Sequence, residues 1–313
     1  MRKLSDIVTA LFAAALAAVG LCACSTGNAS RPDRSEYTYT LSQKKLLDII
    51  EEQDRFFERI RGKSRMSHSD ALSLKSKIDS LWAEYLAEFP DDVDALVLNG
   101  KFLRATGDDE LSYKQFSRAD TLSPNLPVVK QQLANYEAEH GLAKHAYDNM
   151  RAAVSLAPEN SVYRLQLAQL ILVFREELIA RHGFSQDALD AELAQSYARA
   201  AELEPENGEI RKKYALSFYD LGRADWNEAL RQWNIVLEKF SPLNIDKQTA
   251  LANKARVLVE LGRDADAREI LKKVDAPALQ ADKRKLLEIM NAAQNGAEQT
   301  KTQSEYQWTF FRK

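Results

Sequence analysis

Cysteine is almost absent from this 313-residue chain: the two present, Cys22 and Cys24, both fall in the first 24 residues. The rest of the chain has no thiol for a disulfide or a zinc-type thiolate cluster. Histidine is nearly as scarce, with His68, His140, His145 and His182 only. His140 and His145 stand five apart, which does not place them on one helix face. Gly141 interrupts the helix between them, so both read as solvent-facing residues near a turn rather than as a metal pair. No glycine-rich phosphate loop, H-E-x-x-H or G-x-S-x-G string occurs. Carboxylates do come in pairs, as in Glu51-Glu52, Asp91-Asp92, Asp108-Asp109 and Glu176-Glu177. Paired acids serve catalysis only where their surroundings separate their pKa values, and on polar helices they read as a solvated face. The sequence therefore supplies no catalytic candidate, and neither a metal nor a cofactor is expected.

An excess of charge of one sign is also missing. Lysine and arginine number 43 against 46 acids. Removing Arg2, Lys3 and Asp6 with the N-terminal segment leaves 41 basic and 45 acidic residues. A nucleic-acid partner would want a basic stripe, and none is seen. After residue 24 no apolar run reaches the ~20 residues that a membrane-spanning helix needs.

What the chain has is a repeat. Gly107 and Gly141, Ala119 and Ala153, and Pro124 and Pro158 are each 34 residues apart, with Ser112 and Ala146 in a fourth slot. The glycines fit a turn that needs the left-handed conformation. The small residues fit a close helix crossing, and the prolines end the second helix. The fragment Gly100 to Pro124, with Gly100, Gly107, Phe116, Ala119 and Pro124, carries the pattern most fully. It resembles the tetratricopeptide repeat, a helix-turn-helix unit of about 34 residues. That resemblance implies an all-α fold, a right-handed helical solenoid whose stacked neighbours bury the core and leave a concave groove.

The frame extends outward, with interruptions. A unit restarting at Ser161 with Leu167 and Ala168 ends in Tyr197, Ala200 and Pro205. Pro158 to Pro205 is 47 residues, so this unit holds an insertion of 13. The next carries Tyr214, Ala215, Phe218, Gly222, Ala229, Trp233 and Val236, with two extra residues after Gly222. Another follows with Ala255, Leu258, Gly262, Ala267 and Leu271. Upstream, Ile78, Trp82 and Tyr85 before Pro90 read as the second helix of a degenerate first unit, giving about five and a half units over roughly 45–275. Leu46, Leu47, Ile50, Phe57 and Ile60 predict one apolar face of an N-terminal capping helix. Ser69 and Asp70 predict the cap of the helix after it. Residues 279–294, with Leu279, Leu286, Ile289 and Met290, predict a terminal helix whose other face is polar.

The first residues predict a destination. Arg2 and Lys3 precede a short apolar run, as in a secretory signal. The run ends in Leu21-Cys22-Ala23-Cys24, which resembles a bacterial lipoprotein signal with Cys24 as the lipid-bearing residue. Cys22 is the poorer candidate because bulky Leu21 would then flank the cleavage point. The middle slot usually holds a small residue, and Cys22 departs from that; ordinary signal-peptidase cleavage and a retained anchor stay open. The resemblance implies acylation (palmitate among the chains), and Ser25 rather than an aspartate after the cysteine points to the outer membrane, facing the periplasm. The expected divisions are a signal peptide over 1–23, a tether over 24–40, the solenoid with its capping helices over 41–294, and an aromatic tail over 295–313. That tail, with Tyr306, Trp308 and Phe310, alternates with period two as strands do, as does the segment holding Tyr37 and Tyr39.

In tetratricopeptide-like arrays the first helix of each pair lines the groove. Carrying those slots across gives Asp94, Val97, Lys101 and Arg104, then Val128, Gln131, Asn135 and Glu139. The inserted unit gives Val162, Leu165, Gln169, Leu172 and Val173. The last two give Glu209, Lys212, Leu216 and Tyr219, and Ala252, Arg256 and Val259. Lys101 and Arg104 could hold a carboxylate. The inserted unit is the apolar one, and its lining either receives a partner or packs against the insertion, where Phe174, Leu178, Ile179 and Phe184 are apolar. The expected function is a lipid-anchored cell-envelope scaffold binding a protein or peptide, with no nucleic acid. It would serve envelope or outer-membrane complex assembly. The alternative is a periplasmic carrier of a small ligand or glycan, although Tyr219 is the single aromatic placed on the groove. If Cys24 is the acylated residue, Cys24→Ala abolishes incorporation of radiolabelled palmitate while Cys22→Ala retains it. Labelling that survives Cys24→Ala contradicts the assignment.

Overall fold

The structure, a computed structural model, describes residues 40–61, 67–239 and 244–294. The signal segment, Cys24, the tether up to residue 39 and the aromatic tail lie outside the described residues. The chain forms two compact units, Met1–Ala157 and Pro158–Lys313. All regular structure among the described residues is helical.

The first unit holds α1 (Leu41–Arg61), α2 (His68–Glu88), α3 (Val93–Ala105), α4 (Asp109–Leu122), α5 (Pro127–Glu139) and α6 (Ala143–Leu156). They pair as hairpins, α1 on α2, α3 on α4 and α5 on α6, and α2 on α3 and α4 on α5 join one hairpin to the next. The degenerate first unit is thus a complete hairpin of two 21-residue helices. Its buried residues on α1 are Ile49, Gln53 and Phe56; of the expected face, Leu46 and Phe57 pack against the same cluster, while Ile60 stays 51% exposed. Gln53 sits inside the apolar stripe and so disguises it. On α2 the buried residues are Ile78, Trp82 and Tyr85, as expected. The helix is capped by Ser67, whose hydroxyl accepts from the Asp70 N–H at 3.1 Å, and not by Ser69. One apolar cluster joins α1, α2 and α3 through Phe56, Trp82 and Phe102, with Phe56 and Phe102 edge to face at 5.9 Å. A second joins α3, α4 and α5 through Leu96, Phe116, Ala119 and Leu133.

The recurring slots have the packing that their chemistry predicts. Ala119, Ala146 and Ala153 are fully buried and Ser112 is 2% exposed. The Ser112 hydroxyl donates to the Gly100 carbonyl at 2.8 Å. A Cβ on Gly100 would lie 2.9 Å from the Phe116 ring, so glycine is what lets that ring lie against α3. Gly107 and Gly141 turn the chain with φ of 85° and 72°. A Cβ would meet nothing within 4 Å there, so conformation and not space requires glycine.

The second unit holds α7 (Ser161–His182), α8 (Gln186–Leu203), α9 (Gly208–Ser217), α10 (Trp226–Lys239), α11 (Asn244–Glu260), α12 (Asp264–Leu271) and α13 (Gln280–Gln294). Short 3₁₀ turns, Phe218–Asp220 and Pro277–Leu279, follow α9 and precede α13. Successive helices pack from α7 to α12, and α13 closes the array against α11 and α12. Leu279, Leu286 and Met290 join Ala255, Leu258 and Leu271 in that end cluster. The described helices therefore make six hairpins and a closing helix rather than five and a half units.

The 13 extra residues lengthen α7 to 22 residues and α8 to 18, against 13 and 14 for α5 and α6. Phe174 and Leu178 on α7 and Leu189 and Leu193 on α8 are buried, so the added turns carry their own core. They are also tied to the next hairpin. The Arg175 guanidinium lies 2.9 Å from the Asp190 carboxylate and donates to the Asp220 carbonyl. The other Asp190 oxygen accepts the Gly222 N–H at 2.8 Å. The two irregularities of the repeat thus meet: the insertion holds the lengthened turn after α9. Both partners are largely buried, with side chains 16% and 11% exposed. Breaking such a pair strands a charge and costs about 3 kcal/mol or more. Arg175→Met accordingly lowers the urea-unfolding free energy by about 3 kcal/mol, and a loss within experimental error contradicts the lock.

Candidate functional site

Three of the hairpins' first helices begin in a shared way. Asp92, Asn160 and Asn207 cap α3, α7 and α9 through side-chain oxygens that accept from Ala95, Val162 and Ile210 N–H groups. Each cap satisfies an amide that the first turn leaves without an intrahelical partner. From those anchors the expected lining positions can be followed one by one.

In the first unit most of them are consumed by the fold. Val97 is 9% exposed and belongs to the α3–α4–α5 cluster. Lys101 stays partly exposed. Arg104 is not a free cation for a ligand carboxylate: it pairs with Asp109 at 2.8 Å and with Glu139 on α5. Burial works against its charge, but those two carboxylates outweigh it and hold the guanidinium pKa above its usual value. The arginine is therefore a strut between successive hairpins, a correction to the clamp expected of it. Gln131 and Asn135 on α5 are 1% and 6% exposed. Gln131 accepts from the neighbouring Gln132 at 2.7 Å.

The second unit separates into a committed part and an open part. Tyr219, expected on the lining, lies in the 3₁₀ turn after α9. Its hydroxyl donates to the Asn253 carbonyl at 2.9 Å, and the Arg256 guanidinium lies 3.8 Å over its ring. Arg256 is itself only 2% exposed. Burial, partly offset by Arg256, pushes the phenol pKa up. The cation–π contact fastens the α9–α10 turn to α11; Arg256 is thereby enclosed, while Tyr219 keeps partial exposure. Lys212 is partly exposed and borders a cleft of about 770 Å³ that also reaches Trp233 and Val236.

The open part is on α7. Val162, Leu165, Leu172 and Val173 all remain partly exposed, while Gln166, Leu167, Leu170, Ile171 and Phe174 on the flanking positions are buried. Gln169, between them on the same face, is 9% exposed. At 1.5 Å per residue, Val162 to Val173 marks a strip of roughly 16 Å along the helix. Phe174 and Leu178 are buried in the lengthened hairpin, while the four strip residues keep partial exposure. Sequence reasoning missed the Arg175–Asp190 lock, although an arginine directly after the apolar run Leu170–Phe174 was a visible signal.

One titratable group is enclosed near the lining of α5. Glu137 is 3% exposed. It accepts two hydrogen bonds from the Asn149 amide at 2.9 and 3.1 Å and one from the Tyr113 hydroxyl at 3.4 Å. Among the described residues no group of three or more His, Cys, Asp or Glu is placed to hold a metal ion. No helix among them is long and apolar enough to cross a membrane.

No protein-family model matches the chain, and no curated protein matches it by sequence. Solved structures do. Over 67% of this chain and 97% of the other, the fold matches YrrB, a tetratricopeptide-repeat protein with an unusual peptide-binding site, at 18% identity and a TM-score of 0.52. A chain of the Naa15/Naa10 assembly bound to HypK-THB matches over 82% of this chain and 35% of its own length, at 15% identity and a TM-score of 0.55. A tetratricopeptide repeat protein from Parabacteroides merdae matches 80% of this chain and 88% of its own, at 14% identity and a TM-score of 0.47. The chain has the tetratricopeptide-repeat fold.

Burial raises the Glu137 pKa, with Asn149, His145, Tyr113 and Lys130 opposing it less strongly. A carboxyl whose folded pKa is raised stabilises the fold below its unfolded value of ~4.3 and loses that contribution as pH rises through the folded value. Glu137→Gln is therefore more stable than the parent at pH 7, and the difference shrinks toward pH 4. Urea midpoints at the two pH values check this, and a difference independent of pH contradicts it.

Proposed function

We propose that the chain is a lipid-anchored scaffold of the bacterial cell envelope that holds a protein partner against α7, in the assembly of envelope or outer-membrane complexes. The observation that carries the protein-binding part is the α7 strip. Four apolar side chains stay partly exposed along one helix face, whereas the expected lining residues Val97, Gln131, Asn135 and Arg256 are buried and Arg104 is ion-paired. Such a strip suits the apolar face of a partner helix or the alternate side chains of an extended peptide. YrrB's peptide-binding site supports the same use of the fold. The Leu21-Cys22-Ala23-Cys24 motif supports the anchor and Ser25 the outer membrane, with the polar stretch after Cys24 holding the body away from the lipid. The reading assigns no catalytic step to the chain.

The second reading, a carrier of a small ligand, draws on the 770 Å³ cleft beside Lys212, a volume within the usual range for such sites. A glycan is the poorer occupant, because the cleft's Trp233 is fully buried and Tyr219 is covered by Arg256. Capture of partners by the full-length lipidated protein from detergent-solubilised envelope, compared with Leu165→Glu plus Leu172→Glu, separates the readings. The double variant keeps its helical circular dichroism and loses at least tenfold of the captured partner. Undiminished capture by a folded double variant removes the α7 strip from the function.

A further inference from the structure

A cleft of about 300 Å³ opens to solvent between α10 and α12, with α11 behind it. Leu230 and Ile270, both partly exposed, give it apolar walls, and Lys254 and the buried Leu258 of α11 also line it. The acids that border the cleft are already engaged. Asp266 accepts the Arg263 guanidinium at 2.6 and 2.8 Å, and Glu269 accepts Lys272 at 2.5 Å. Lys254 has no ion pair or hydrogen bond among the described residues. It is partly withdrawn from water. Burial, then Lys273 and Arg263, lower its pKa, against the weaker pull of Asp266.

A cation held in this way destabilises the fold, because it loses hydration without gaining a counter-charge. Methionine or leucine would occupy the position at lower cost. What the arrangement lacks is one anion, and what it offers beside that anion is apolar surface. A single monovalent cation matches a carboxylate. A phosphoryl group, with nearly two charges and three acceptor oxygens, wants a cluster of donors, and Arg263 is held by Asp266. Because the cleft is open, a bound chain can run on past it at both ends, which suits an internal acidic residue better than a chain terminus.

We propose that this cleft docks an acidic residue of a partner peptide, its carboxylate paired with the Lys254 ammonium and its apolar neighbour packed on Leu230 and Ile270. The site is separate from the α7 strip, so the outcome for Leu165 and Leu172 does not decide it.

The test uses the full-length protein at low salt and a fluorescein-labelled, C-terminally amidated peptide, Ser-Leu-Asp-Leu-Ser, read by anisotropy. The peptide binds saturably, and its Asn counterpart binds at least fivefold more weakly. Lys254→Met loses at least fivefold of the affinity for the Asp peptide and no longer separates the two. Lys254→Arg keeps most of the discrimination, and Lys272→Met, at an exposed and paired lysine, keeps all of it. Lys254→Met also melts at a temperature no lower than the parent, which shows that lost binding is not lost folding. Absence of saturable binding, equal affinity for the two peptides, or parent-like binding by Lys254→Met overturns the proposal. So does tighter binding of the Asn peptide when its C-terminus is left as a free carboxylate, which would make the terminus the ligand.

Discussion

Close contact between helices, at positions that admit nothing larger than alanine or serine, is the constraint on which the rest of this structure depends. Two short helices cannot bury their apolar faces against each other alone. They succeed when the crossing is tight enough for the next hairpin to cover what remains. Ala119, Ala146, Ala153, Ala200, Ala229 and Ala267 are fully buried at these crossings. Around them sit the large side chains that fill the interior, among them Trp82, Phe116, Met150 and Trp233. The glycine turns follow from the same need, since a second helix can return over the first at short range only where the chain reverses in a residue or two.

Departures from the repeat show where other demands enter. The lengthened hairpin of α7 and α8 adds apolar residues that a regular repeat has no room for. Phe174, Leu178, Leu189 and Leu193 use each other as core. Arg175 and Asp190 then fix the added turns to the chain after α9. An insertion so held is a rigid part of the hairpin, and its rigidity lets the neighbouring apolar strip on α7 keep a defined shape while partly exposed. Apolar side chains left open on a rigid helix are preorganised for a partner, because little ordering entropy is lost on binding. Arg104 and Arg256 illustrate the converse. Each stands where a ligand contact was expected, and each is spent on holding hairpins together.

The architecture was legible in the sequence because its constraints are local. A turn glycine, a crossing alanine and a closing proline each answer to geometry within one repeat, and the 34-residue spacing exposes them together. The buried stripe of α2 was legible for the same reason. That of α1 was legible in part: Leu46 and Phe57 pack against the core as expected, but Gln53 interrupts the buried stripe and hides Ile49 and Phe56. The lining was only partly legible. Position in the repeat says which side of the helix a residue occupies, but not whether a neighbouring element has already claimed it. Glu139 lies 35 residues beyond Arg104, and Tyr219 lies 37 before Arg256, and no spacing rule joins them. The uncharged strip on α7 was found because apolar residues at an exposed helical period announce themselves. Lys254 did not, since its distinction is the absence of an ion pair or hydrogen bond among the described residues, which is seen only once its neighbours are placed.

The central claim is that a partner meets the chain on the α7 strip. Site-specific photo-crosslinking in living cells tests it most directly, with benzoylphenylalanine placed singly at Leu165, Leu172 or Leu111. Leu111, 49% exposed on α4 of the first unit, is not part of the strip and serves as the comparison. The account predicts a discrete crosslinked species from Leu165 and Leu172 and none from Leu111. A crosslink from Leu111 with none from either strip position would contradict it.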